Sequence, residues 1–338
     1  MEKTRLGRTN LNITRLGWGS IPLQRANDEE ALSVVKAVID MGVDFIDTAR
    51  AYTTSEKRIG LVLDKSKKPV VISSKSMVRT EKIFDDVLTS LDNLKVKKIH
   101  IYNFHNVSNF NDYNTVLASG GAFDGLKRAK KEGLIDHIGI TSHNLKVLEQ
   151  AIEDNFFDVI MTCYSFLEPD AAERIFPKAR AKDIGIIAMK TFSGGVIEEA
   201  GPALRYVLQT KDIVPIPGTE TVEKARKNWE IFIGNREITR SDTEYMDSVR
   251  KKTEKIFCRR CDYCLPCSEG ISIQYAVGLK QAYNRFGPGA KWLLESFDKA
   301  RNCTECGQCK ERCPYGLPIP ELIKENLAWL DEQLKNLK

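Results

Sequence analysis

Eight of the nine cysteines fall into two tight runs near the C-terminus: Cys258, Cys261, Cys264 and Cys267 in CRRCDYCLPC, then Cys303, Cys306, Cys309 and Cys313 in CTECGQCKERCP. Thiolates at every third residue let one loop wrap a corner of a cuboidal iron-sulfur cluster, and a fourth cysteine followed by proline ligates a neighbouring cluster. The second run fits that pattern fully, with Pro314 after Cys313. The first departs from it, because Cys267 arrives one residue early, between Pro266 and Ser268. The reading is two 4Fe-4S clusters on eight thiolates. By the crossed pattern of two-cluster ferredoxins, Cys313 joins Cys258, Cys261 and Cys264, while Cys267 joins Cys303, Cys306 and Cys309. Structural zinc also takes four cysteines, but usually as separated pairs. Cys163, at the end of the apolar stretch FFDVIMTCY, reads as a packing residue.

A second group of reactive side chains is dispersed through the first third of the chain. Asp47 ends VDFID, Tyr52 ends DTARAY, Lys75 follows VVISS and His105 follows IHIYNF. Period-two alternation puts Phe45 with Asp47 on one strand face, Val71 and Ser73 with Lys75, and Ile101 and Asn103 with His105. Taken singly each has an ordinary role: a turn cap, exposed loop residues, a satisfied core histidine.

The elements that must position these residues show a β/α rhythm. Candidate strands are residues 15–18, 43–47, 70–73, 99–103, 137–140, 159–162, 184–189 and 213–216, with amphipathic segments between them. Eight strands separated by helices predict an α/β fold, a closed (β/α)8 TIM barrel, with the polar residues at the strand ends that form its catalytic face. Asn27 before Glu30 and Ser241 before Glu244 read as helix starts. The segment TRLGRTNLNITRL reads as a hairpin under the barrel, turning near Thr9 and Asn10. The barrel is expected over residues 1–250. A small α-helical ferredoxin-like module is expected over 251–338, with helical stretches ISIQYAVGLKQAYNRF and AKWLLESFDKARN joined at Gly287-Pro288-Gly289.

Composition fits a soluble globular chain: 338 residues are 42% hydrophobic, and a formal charge of +5 arises from 51 basic and 46 acidic residues that are well mixed. Lys127, Arg128, Lys130 and Lys131 then read as a solvated helix face, and nothing calls for nucleic acid. The N-terminus MEKTRLGRTN lacks a secretory apolar core and no stretch approaches a membrane span. The expected location is the reducing cytoplasm, which disfavours disulfides.

The motifs of the first 250 residues resemble the aldo-keto reductase family. LGRTNLNITRLGWG resembles its opening, GVDFIDTARAYTTSEKRIG its second strand and following helix, and IYNFHNV its histidine strand. The resemblance implies a catalytic tetrad of Asp47, Tyr52, Lys75 and His105. Hydride from a nicotinamide would reach a carbonyl carbon while Tyr52 gives its proton to the oxygen. A tyrosine near its usual pKa of about 10 releases a proton reluctantly, so the Lys75 cation, held by Asp47, would assist, and His105 would orient the carbonyl. The family's phosphate-binding segment resembles IPGTETVEKARKN, where Gly218, Thr219, Lys224 and Asn228 match, although many members carry lysine in place of Gly218. Lys224 favours NADP(H), with NAD(H) the alternative. Gly19, Ser20, Thr141 and Ser142 would line the same pocket, and Met189 stands where many relatives stack an aromatic ring on nicotinamide.

The joined architecture is similar to a prokaryotic branch of the family with a ferredoxin-type tail. Hydride transfer moves two electrons and a cluster one, and no flavin motif links them. Three readings follow: a reductase of a small carbonyl substrate; an oxidoreductase relaying electrons from a ferredoxin-like carrier through the clusters to a barrel-bound cofactor or substrate; and a docking module on an inactive barrel. The tetrad argues against the third.

Overall fold

The computed structural model describes residues 2–286 and 291–336, which form two compact units meeting between Thr243 and Glu244. The chain opens with an antiparallel pair, β1 (Lys3–Arg5) and β2 (Asn12–Thr14), in register Lys3 to Thr14. The turn between them contains Gly7 and Asn10, both left-handed, at φ 50° and 57°. Gly7 has no substitute here, because a Cβ would lie 2.3 Å from the amide nitrogen of Gly185.

Eight parallel strands follow: β3 (Trp18–Gly19), β4 (Phe45–Asp47), β5 (Val71–Ser76), β6 (Ile99–Phe104), β7 (Ile135–Ser142), β8 (Val159–Cys163), β9 (Gly185–Met189) and β10 (Val214–Pro215). Each pairs with its sequence neighbour, and the sheet closes where Gly19 bridges Gly218 and the Gly17 amide donates to the Pro215 carbonyl at 3.0 Å. Glycine permits that seam, since a Cβ on Gly19 would stand 2.7 Å from the Ile216 oxygen. Alternation then sorts the strands. Phe45, Ile101, Val159, Met161, Ile187 and Val214 face inward onto Leu6 and Ile13 of the hairpin region, while Ile46, Ile72, Tyr102, Ile140 and Ile160 face the helices.

All eight expected strands are present, with shifted ends. The first begins at Trp18; the Arg15 amide still donates to the Glu2 carbonyl beside the hairpin at 3.2 Å, and its side chain donates to Glu2 and to the Leu208 and Thr210 carbonyls. β5 and β6 run further than expected, to Ser76 and Phe104, so Lys75 lies inside a strand. Asn27 caps the helix Asp28–Met41 through a capping box with Glu30. Ser241 is not a cap: it lies within the helix Arg240–Thr253, whose start is fixed by Thr239 and Asp242, each side chain accepting from the other's amide. Lys127, Arg128, Lys130 and Lys131 are exposed on the helix Ala122–Lys131, and Cys163 is buried.

The second unit is helical. The stretch ISIQYAVGLKQAYNRF breaks at Gly278 into Ile273–Val277 and Leu279–Phe286, followed by Lys291–Ala300 and Gln308–Arg312. The junction at Gly287-Pro288-Gly289 lies outside the described residues. A helix not expected from sequence, Ile319–Asn336, packs Leu322 and Ile323 against Ile273, Ala276 and Val277. Its buried Asn326 donates to the Ala276 and Val277 carbonyls at 3.0 and 2.8 Å, satisfying groups at a helix end. Among the described residues no helix is long and apolar enough to cross a membrane.

Candidate active site and cysteine module

Asp47 and Lys75 enter the barrel from adjacent strands, each 2% exposed. Lys75 Nζ donates to Asp47 Oδ2 at 2.5 Å and to the Thr48 carbonyl at 2.7 Å. Ser73 donates to the other carboxylate oxygen at 2.9 Å, and Asn103 donates to Ser73 Oγ at 3.0 Å. Burial opposes the charge on Lys75, but Asp47 and Tyr52 together hold it above the usual lysine range. Burial lifts the Asp47 carboxyl above its usual range, against the pull of Lys75 and Ser73. Two donors on the carboxylate and a ring of acceptors around the ammonium suit the ionised pair, which is the state these contacts describe.

Tyr52 lies on the loop after β4, half-buried, with the Lys75 ammonium 4.8 Å from its ring centroid. His105 meets Tyr52 edge-on, ring centroids 5.7 Å apart. The four residues are thus gathered at the C-terminal ends of β4, β5 and β6. Thr53 turns the chain after Tyr52 at φ 44°, a conformation costly for a β-branched residue and characteristic of functional sites.

Several groups that the sequence did not single out surround this arrangement. Glu56, 2% exposed, accepts from Arg50 at 2.8 Å, Ser74 at 2.7 Å and Asn93 at 3.1 Å, tying the Tyr52 loop to the outer side of β5. Arg79 donates to the His105 carbonyl at 2.8 Å and to that of Asn106 at 3.1 Å, and also faces Asp112. His143 Nδ1 lies 2.9 Å from Asn106 Oδ1. Ser74 carried the readable signal for Glu56: with Ser76 it sets hydroxyls on the helix-facing side of β5, after the apolar Ile72.

The residues expected around a dinucleotide split into two kinds. Gly19 and Gly218 adjoin at the barrel seam, and a Cβ on Gly218 would lie 2.8 Å from Pro22, which excludes lysine there without rearrangement. The helix Val222–Ile233 follows them, its start capped by Thr221, which accepts from the Lys224 amide. Ser20, Thr141, Ser142 and Thr219 are buried and engaged internally: Ser20 accepts from Ser55, Thr141 from the Asn106 amide, Ser142 from the Asn144 amide and Thr219 from the Trp18 indole. Asn228 is buried and Met189 half-buried at the end of β9. Lys224 Nζ donates to Glu220 Oε1 at 2.5 Å, and Glu220 also faces Arg25 at 3.5 Å. A carboxylate therefore stands beside the cation expected to meet phosphate.

In the second unit the cysteines separate by neighbourhood rather than by run. Burial raises the thiol of Cys258, with Cys313 adding to it; burial pushes Cys261 up to about 11 and Cys264 up to about 12, with Cys258 contributing to both. Cys309 is raised by burial and then by Cys303 and Cys306. Cys267 lines one recess with Cys264, Cys303, Cys306 and Cys309. Arg312, next to Cys313, donates to the Pro266 carbonyl at 2.7 Å and links the two loops. A metal centre that takes buried cysteines as thiolates releases their protons and disperses their charge. Cys264 adjoins both groups, and an all-cysteine donor set gathered in one small unit is the chemistry that suits iron-sulfur clusters.

Residues 14–202 match the family model of the Aldo/keto reductase family, and residues 257–318 match that of a 4Fe-4S dicluster domain. The chain is similar to a D-threo-aldose 1-dehydrogenase of Pseudomonas sp, 28% identical over 57% of this chain and 70% of that protein. It is also similar to an L-galactose dehydrogenase of Arabidopsis thaliana, 24% identical over 60% of this chain and 69% of that protein. In fold it is like an aldo-keto reductase from Bacillus halodurans in its holo form, with a TM-score of 0.63 and 19% identity over 74% of this chain and 96% of that one.

Proposed function

The chain belongs to the aldo/keto reductase family and is an oxidoreductase with a C-terminal 4Fe-4S domain; on that premise we propose that its barrel reduces a small carbonyl compound with NAD(P)H, using Tyr52 as the acid. The observation that carries the reading is the arrangement around Lys75. Its ammonium has three donors: one meets Asp47, one the Thr48 carbonyl, and the third is assigned to Tyr52, whose ring centroid lies 4.8 Å away. With Lys75 donating to the Tyr52 oxygen, the tyrosine's own proton would be the one it gives to a carbonyl oxygen. Lys75 then stabilises the phenolate left behind, and Asp47 keeps the lysine charged and in place. His105, edge-on to Tyr52, orients the carbonyl. A bound reduced nicotinamide supplies the hydride.

Gly19, Gly218 and the helix start at Val222 would hold the dinucleotide phosphates, with Thr219, Asn228, Ser20, Thr141, Ser142 and Met189 shaping the walls. The eight paired cysteines would hold two clusters. The proposed division of labour assigns the barrel to residues 1–250 and the cluster module to 251–338. The deciding experiment is carbonyl reduction by the wild type and by Tyr52→Phe, with coenzyme binding followed separately. Equal turnover in the two proteins would reject Tyr52 as the acid.

A further inference from the structure

The helix Arg240–Thr253 leads in chain order into the first cysteine loop. From Arg250 to Arg260 the chain holds Arg250, Lys251, Lys252, Lys255, Arg259 and Arg260 against a single acid, Glu254. Arg250 is drawn to Asp247 at 2.9 Å. Lys251, Lys252 and Lys255 are exposed and make no ion pair among the described residues. Beside them Ile256 is 52% exposed, although the next residue, Phe257, is only 7% exposed. The amides of Ile256 and Phe257 both donate to the Thr253 carbonyl, at 3.1 and 2.9 Å, so a fixed turn presents this isoleucine to solvent. Cys258 follows two residues on, within about 7 Å along the backbone.

We propose that Lys251, Lys252, Lys255 and Ile256 form the docking surface for an acidic electron-carrier protein, seated beside the Cys258 loop. The inference rests on the reading that the cysteines hold clusters. An apolar contact rimmed by charge is the anatomy of a transient protein interface, in which the charges steer the encounter and the apolar centre resists dissociation. Lysines without internal partners give up little when they meet carboxylates on another protein. A small anion would have no use for Ile256, and a carrier gains from proximity to the cysteine loop.

The test uses the full chain, purified anaerobically with its iron, and an acidic two-cluster bacterial ferredoxin as probe, with affinity measured by calorimetry at low and high salt. Replacing Lys251, Lys252 and Lys255 together by glutamate should weaken binding about tenfold or more at low salt, with the difference shrinking as salt rises. Ile256→Asp should weaken it at both. Replacing Lys65, Lys67 and Lys97 by glutamate makes the same charge change on the barrel unit and should leave affinity close to wild type. Equal losses in the two triple variants, or an unaffected patch variant, would overturn the surface. So would a wild type that ignores ferredoxin but binds phosphatidylglycerol vesicles through these lysines. Iron and sulfide content, measured on every variant, separates the two failures: patch-dependent binding by iron-free protein would keep the surface and remove the cluster reading beneath it.

Discussion

Lys75 Nζ lies 2.5 Å from Asp47 Oδ2 with both side chains almost wholly buried, and the same ammonium faces the Tyr52 ring at 4.8 Å. One buried cation thus connects a structural carboxylate to the proposed acid, and stability and chemistry meet at a single atom.

Tyr52→Phe should lower the turnover of carbonyl reduction by about 10² to 10⁴-fold, the usual contribution of a positioned acid. Coenzyme affinity, read by fluorescence titration, should stay near the wild-type value, because the lost hydroxyl acts in proton transfer.

Lys75→Met should cost about 3–5 kcal/mol of stability in urea unfolding, since it strands Asp47 in the barrel without its counter-charge. The double variant Asp47→Asn, Lys75→Met should recover most of that loss while remaining inactive. A single variant as stable as the wild type would mean that Asp47 is not ionised there.

Coenzyme choice should respond to the pair at the start of the helix Val222–Ile233. Lys224→Ala should weaken NADPH more than NADH, and Glu220→Gln, which releases Lys224 from its carboxylate partner, should strengthen NADPH. Equal changes in both coenzymes, measured as dissociation constants, would remove these residues from the specificity argument.

Anaerobically purified protein should contain about eight irons per chain with matching acid-labile sulfide. Stoichiometric zinc without sulfide would sink the cluster assignment, and about four irons would leave a single cluster.

Asp158 gives a pH test in the barrel. Burial opposes its charge, but His137 and Lys130, with the Ile138 amide, hold its pKa at about 2, below the ordinary 3.8. A carboxylate depressed on folding adds stability above its unfolded pKa and loses it as pH falls toward the folded value. Asp158→Asn should therefore cost about 2 kcal/mol at neutral pH. The gap to wild type, followed by urea unfolding, should narrow between pH 4 and 2; a constant gap would exclude ionisation as its source.

The sequence alone determined what depends on local pattern. Alternation and apolar runs marked all eight barrel strands and placed Asp47, Lys75 and His105 on inward faces, because side-chain direction along a strand repeats every second residue. Cysteine spacing announced the metal chemistry, since the ligands of one corner come from one loop. Tertiary structure decided what depends on approach between distant segments. Only the closed barrel brings Gly19 against Gly218, sets Trp18 on Thr219 and buries Glu56 among Arg50, Ser74 and Asn93. Only folding of the second unit brings Cys313 near Cys258 and sets Cys267 in one recess with Cys303. A buried or paired charge takes its character from whatever the fold sets within a few ångströms, and that neighbour is seldom adjacent in the chain.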